Sequence, residues 1–200
     1  NYEGALAAIR AAEAEKLPVI IQVYMRLFHS EKGADLAGTL LRLAHRCNQP
    51  VVIHLDHGEN IEQVQQALDA GYSSVMYDGS RLPFAENLRI TAAATELAHR
   101  HGASMEGEIG HVAQGDDTVL TSVEEAVEFA RGTNVDALAV SIGTAHGYYT
   151  QTPRIDHQRC RELSEAMPEL PLVLHGGTGT PLEDVRKAIE HGICKVYIAT

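Results

Sequence analysis

The feature that most constrains this chain is an alternation between short runs of branched apolar residues and longer stretches of helical period. The runs fall at Pro18 to Val23, Val51 to Leu55, Ser73 to Tyr77, Ala103 to Glu108, Asp136 to Ile142, Pro171 to Leu174 and Cys194 to Ile198. Each has the near-continuous apolar character of a parallel strand buried on both faces. Between them, Asn60 to Ala70, Pro83 to His101, Val123 to Arg131 and Pro181 to His191 carry amphipathic patterns that fit crossover helices. Gly71, Gly102, Gly132 and Gly192 stand where such helices stop, and Pro181 suits a first helical turn. A further helix is expected over Gly4 to Lys16.

Seven strands alternating with helices leave two architectures, a (β/α)8 TIM barrel and a doubly wound open sheet. The open sheet usually carries a glycine-rich phosphate turn after its first strand. Gln22-Val23-Tyr24-Met25 holds no such glycines, which favours the barrel. The expectation is a single TIM-barrel domain over 1–200, with a first strand and a C-terminal helix lying outside these residues. A composition that is 44% hydrophobic can fill one such core.

Charge and cysteine content exclude several classes of function. Acidic residues outnumber basic ones by 27 to 16, for a net charge of −11, and no Lys/Arg cluster offers a footprint for nucleic acid or anionic lipid. Cys47, Cys160 and Cys194 are far apart and lack a CxxC spacing, so neither a disulfide framework nor a thiolate zinc site is expected, and a reducing, cytoplasmic setting fits. No apolar run reaches the roughly 18 residues of a membrane span.

In a barrel the chemistry sits at the C-terminal ends of the strands. His57, His146 and His175 each follow a different strand and each precede a glycine. One strand-end histidine is more often a hydrogen-bonded mouth residue; three on three strands suit a metal. Three neutral imidazoles with an open fourth position describe a catalytic zinc site, in which cobalt or iron could substitute. His101 and His191 also precede glycines but end helical stretches, where a capping role accounts for them. Asp78 and Glu108 either complete a second cation position or anchor the ligating histidines. Asp56, beside His57, is the candidate acid/base group, and His54 is expected as a packed, hydrogen-bonded neighbour on the same side of the strand. His175-Gly-Gly-Thr-Gly-Thr-Pro, running through Gly176, Gly177 and Thr178 into a helix, has the form of an anion-binding turn. Thr200 lies where barrels finish a phosphate site.

Five motifs in order, His-Leu-Asp-His-Gly (54–58), Ser-Val-Met-Tyr-Asp-Gly-Ser (74–80), Glu-Gly-Glu-Ile-Gly (106–110), Ile-Gly-Thr-Ala-His-Gly (142–147) and Leu-His-Gly-Gly-Thr-Gly (174–179), resemble the class II, zinc-dependent ketose-bisphosphate aldolases of the fructose- and tagatose-bisphosphate type. The resemblance implies that His57, His146 and His175 ligate the catalytic zinc, that Asp56 serves the C4 hydroxyl, and that Asp78 and Glu108 serve a second divalent or monovalent cation. It implies phosphate binding by Gly147, Gly176, Thr178 and Thr200, cleavage of a phosphorylated ketose to dihydroxyacetone phosphate and an aldehyde through a zinc-stabilised enediolate, and a homodimer or homotetramer. A loop glutamate exchanges the C3 proton in the family; Asp116 or Asp117 stands about there. Tyr24 and Tyr197 replace a serine and an asparagine that line the sugar site in the family, and Arg154 offers charge where many relatives have a lysine nearer His146. Two alternatives follow from these departures: a relative acting on a non-standard ketose 1-phosphate, and an inactive binder of metal and sugar phosphate. A metal-dependent hydrolase is disfavoured by the glycine turn at His175. A Schiff-base enzyme is disfavoured because the candidate Lys195 is read at the start of the last strand, away from the active face.

Overall fold

The computed structural model describes residues 1–110, 120–144 and 153–199. The first part of the chain holds α1 (Tyr2–Glu15), β1 (Val19–Tyr24), α2 (Met25–Phe28), α3 (Gly33–Arg46), β2 (Val51–Gly58), α4 (Ile61–Asp69) and β3 (Ser74–Tyr77). Next come α5 (Phe84–Arg100), β4 (Ser104–Ile109), α6 (Val123–Thr133) and β5 (Ala137–Val140). The last described elements are α7 (His157–Ala166), β6 (Leu172–Leu174), α8 (Leu182–Glu190) and β7 (Ile193–Val196).

The strands follow one another in chain order, β1 through β7, and the described pairings are parallel. A doubly wound sheet reverses its order at a switch point, and this order contains no reversal, so the barrel reading stands over its rival. All seven expected strands form, and each expected helix forms within a few residues of its expected limits.

The chain divides into two compact units, Asn1–Asp78 with Ala94–Met105, and Gly79–Ala93 with Glu106–Thr200. In the first, β1 and β2 run in register from Val19 opposite Val51 to Tyr24 opposite Asp56. Ile53, Leu55, Val64, Ala67, Val75 and Met76 are buried there, as expected where helices cover a parallel sheet. The helices are punctuated by their sequence: Asn1 accepts from the Gly4 amide and Asn60 from the Gln63 amide, while Lys16 closes α1 in a left-handed conformation.

In the second unit, Phe129, Leu138, Leu163, Leu172, Leu174 and Ile193 share one core with Cys160 and Ala188. Gly132, read as the stop of α6, lies inside its last turn, and Asn134 at φ 53 is the left-handed cap. The glycine is needed for packing, since a Cβ there would stand 3.0 Å from a methyl of Leu88. Asparagine tolerates the left-handed cap almost as well as glycine does. Among the described residues no helix is long and apolar enough to cross a membrane.

All three cysteines are free thiols. Burial pushes the Cys160 thiol up to about 11 and the Tyr72 hydroxyl up to about 12. Both groups are therefore held neutral more strongly in the fold than in the unfolded chain. Their stabilising contribution is complete below about pH 8.5, where the unfolded thiol begins to ionise, and is lost as pH rises towards about 12. The urea midpoint is expected to hold from pH 7 to about 8.5 and then fall, with the lower part of the fall missing in Cys160→Ala. A midpoint unchanged up to pH 11 would contradict this.

Candidate active site

The site begins with an irregularity at the end of β2. The strand continues past Leu55, and its register against β3 shifts between Leu55 and Gly58: Leu55 stands opposite Val75, but Gly58 stands opposite Tyr77. The extra residue is a bulge, a device that re-aims a side chain at a strand end. His57 lies in it with φ 55, a left-handed conformation that a histidine adopts at a cost of about 1–2 kcal/mol. Gly58 leaves no room for a side chain, since a Cβ would sit 2.6 Å from the Met76 carbonyl oxygen.

This turn sets His57 between two carboxylates. Asp78, just after β3, accepts from His57 Nδ1 at 2.8 Å, and Asp56 Oδ1 lies 3.7 Å from His57 Nε2. Asp78 thereby fixes the orientation of the His57 ring. A carboxylate on Nδ1 selects the tautomer whose lone pair is on Nε2, the arrangement in which histidines usually bind metals. Tyr24 stands edge-on to the His57 ring, with centroids 6.1 Å apart, and is exposed. His54 is fully buried with Nδ1 2.7 Å from the Ser74 hydroxyl, the packed role expected of it.

In the second unit, His175 follows β6 and is fully buried. Its Nε2 lies 2.9 Å from Glu106 Oε1, leaving Nδ1 as the other ring nitrogen. Glu106, only 2% exposed, receives Lys195 Nζ on its second oxygen at 2.6 Å. Lys195 also donates to the Tyr197 hydroxyl at 3.1 Å, and the Tyr197 ring stacks on His175 at 3.9 Å. The Thr144 hydroxyl donates to the His175 carbonyl at 2.7 Å. Glu108 is buried, and its carbonyl accepts from Asn87 Nδ2 at 2.9 Å.

The glycine turn after His175 is tied to the chain leaving β7. Gly176 and Gly179 have φ 69 and 82. Gly177 donates its amide to the Tyr197 carbonyl at 3.0 Å, and a Cβ on it would approach that oxygen to 2.7 Å. Thr178 exchanges hydrogen bonds with Ala199, whose amide donates to the hydroxyl at 2.7 Å. Arg154 is exposed, and its carbonyl covers Gly143.

Of the residues singled out in the sequence, Asp56, His57 and Asp78 come together at one strand end. His146, Gly147, Asp116, Asp117 and Thr200 lie outside the described residues. Glu106 was missed, although its spacing of two from Glu108 put both on one side of β4. Lys195 corrects an expectation. β7 spans Ile193–Val196 instead of Cys194 to Ile198, so Lys195 is one residue from the strand's C-terminal end, where its ammonium reaches Glu106. Tyr197, standing where the family has an asparagine, is buried against His175, with 5% exposure. His101 and His191 keep their capping places: His101 Nδ1 donates to the Leu97 carbonyl at 2.9 Å, and His191 closes α8.

Comparison with known proteins bears on the chain as a whole. A family model described as fructose-bisphosphate aldolase class-II matches residues 1–200. A fructose-bisphosphate aldolase of Staphylococcus epidermidis is 39% identical over 214 residues, spanning 100% of this chain and 73% of that protein. The crystal structure of the YdjI aldolase from Escherichia coli K12 is 33% identical with a TM-score of 0.88, over 100% of this chain and 72% of that one. A structure from Coccidioides immitis, 32% identical, superposes with a TM-score of 0.91 over 98% of this chain and 72% of its own. With the sequential strand order, these likenesses give the fold class as the (β/α)8 barrel. Over its whole length the chain belongs to the class II fructose-bisphosphate aldolase family, and it is an aldolase, a carbon–carbon lyase.

Proposed function

We propose that the protein reversibly cleaves a phosphorylated ketose, fructose 1,6-bisphosphate or tagatose 1,6-bisphosphate, to dihydroxyacetone phosphate and an aldehyde, with zinc held by His57, His146 and His175. The observation that carries this reading is the pairing of His57 Nδ1 with Asp78 at 2.8 Å, beside Asp56 at a strand end. It leaves Nε2 as a lone-pair donor, and Glu106 on His175 Nε2 leaves Nδ1. Both rings thus fit a metal that prefers neutral nitrogen ligands. When bound, such an ion supplies positive charge that stabilises the negative charge developing on the ketose oxygens.

Asp56 takes the proton of the C4 hydroxyl as the C3–C4 bond breaks, so that C4 leaves as the aldehyde and the electron pair stays on the dihydroxyacetone phosphate half. Asp116 then exchanges the C3 proton. Gly147, Gly176, Gly177, Thr178 and Thr200 form the phosphate turn, in which Gly177 holds the turn against the chain leaving β7 through its amide bond to the Tyr197 carbonyl. Arg154 offers charge to the distal group. Glu108 serves a second cation, divalent or monovalent, with Asp78 shared between that ion and His57. We further propose one barrel domain acting as a cytoplasmic homodimer or homotetramer. A second reading, a ketose 1-phosphate without the distal phosphate, is favoured by Tyr24, an exposed ring edge-on to His57.

The test is release of dihydroxyacetone phosphate, followed by coupled reduction, from fructose 1,6-bisphosphate, tagatose 1,6-bisphosphate and fructose 1-phosphate. Either bisphosphate is expected to exceed the monophosphate in kcat/KM. The reverse order would establish the second reading, and no release from any of them by zinc-loaded protein would overturn the substrate class.

A further inference from the structure

We propose that Glu106, held by Lys195 and by Tyr197 through Lys195, is the positioning residue that fixes which nitrogen of His175 faces the metal. This rests on His175 being a zinc ligand. The four side chains form a closed circuit: His175 Nε2 to Glu106 Oε1 at 2.9 Å, Glu106 Oε2 to Lys195 Nζ at 2.6 Å, Lys195 Nζ to the Tyr197 hydroxyl at 3.1 Å, and the Tyr197 ring stacked on His175 at 3.9 Å.

Three physical arguments lead from that circuit to the role. An isolated carboxylate would not remain buried at 2% exposure, and Lys195 supplies the opposite charge at hydrogen-bond distance. A carboxylate accepts only, so His175 must present a proton on Nε2, which leaves the Nδ1 lone pair for the metal. The stacked Tyr197 ring, 24° from parallel, then restricts rotation of the imidazole about its own bond. Lys195 lies 4.6 Å from that ring's centroid, so the cation also holds the ring that holds the histidine. Groups that orient a ligating histidine in this way typically change metal affinity by about 10- to 100-fold when lost.

The test compares zinc affinity, by competition with a chromophoric chelator, for the full chain, Glu106→Gln and the double variant Glu106→Gln with Lys195→Met, together with thermal unfolding of each metal-free protein. Glu106→Gln removes the carboxylate that pairs with Lys195 at 2.6 Å and is expected to lower the unfolding midpoint. The double variant removes both charges, so the midpoint is expected to recover while zinc affinity stays about 10- to 100-fold weaker. A purely structural role would restore both together; zinc affinity within about twofold of the original in the folded double variant would overturn the proposal. Nitrogen chemical shifts of His175 in the unsubstituted, metal-free protein give a readout that needs no variant: a protonated Nε2 is expected, and a protonated Nδ1 with bare Nε2 would overturn it. If the unsubstituted chain binds no zinc, the metal reading falls and this inference with it. Zinc bound equally well by all three proteins removes only the role of Glu106.

Discussion

Replacing His57 by Ala is expected to lower kcat/KM for ketose cleavage by about 10³-fold or more and to weaken zinc binding in parallel. Losing the charge that an ion places on developing negative charge removes several kcal/mol of transition-state stabilisation, and each 1.36 kcal/mol is about tenfold in rate. The substitution also strips Asp78 of the group it anchors at 2.8 Å, leaving two acidic side chains at that strand end without the imidazole between them. The same position carries a separate stability effect. His57 sits at φ 55, which alanine tolerates no better than histidine, while glycine accepts it freely. His57→Gly is therefore expected to unfold at a higher urea concentration than His57→Ala by an amount near 1 kcal/mol, although both are inactive. Equal midpoints would show that the left-handed turn stores no strain. Undiminished zinc content in His57→Ala would remove His57 from the ligand set.

Asp56→Asn is expected to behave differently, lowering kcat by about 10²- to 10⁴-fold, the range for loss of a positioned acid/base group. Asparagine keeps the shape and cannot take the C4 hydroxyl proton. Zinc content should be nearly unchanged, because Asp56 Oδ1 is 3.7 Å from His57 Nε2 and the anchor on Nδ1 belongs to Asp78. The two substitutions therefore separate holding the metal from moving the proton. Loss of zinc from Asp56→Asn, to the same degree as from His57→Ala, would assign Asp56 to the ligands.

The strands and helices were legible because their residues report burial directly. A parallel strand covered on both faces needs continuous branched apolar residues, as in Val51 to Leu55, and helices that cover it need one apolar stripe, as in α4. The clustering of His57, Asp56 and Asp78 was legible in kind, since all three stand at strand ends, where barrels keep their chemistry. What the sequence did not reveal is how the chain bends there. No glycine marks the left-handed position at His57, and the bulge between Leu55 and Gly58 depends on pairing with a strand that is remote in sequence. The circuit behind His175 was hidden for a similar reason. Glu106 comes from β4 and Lys195 from β7, which two strands separate in the sheet order, and reading β7 as Cys194 to Ile198 instead of Ile193–Val196 was enough to place Lys195 at the wrong end. Asn134 in place of Gly132 as the cap of α6 arose because packing against Leu88 claimed the glycine first.

The most direct test of the central claim, that three histidines hold a metal required for carbon–carbon cleavage, is metal removal followed by stoichiometric return. Dihydroxyacetone phosphate release from the preferred ketose would be measured before chelation, after exhaustive dialysis against EDTA, and after adding one equivalent of zinc. Activity is expected to fall by at least about 10³-fold and to return with the single equivalent. Cleavage that persists in protein shown to be free of metal would contradict it and would return attention to a covalent route through lysine.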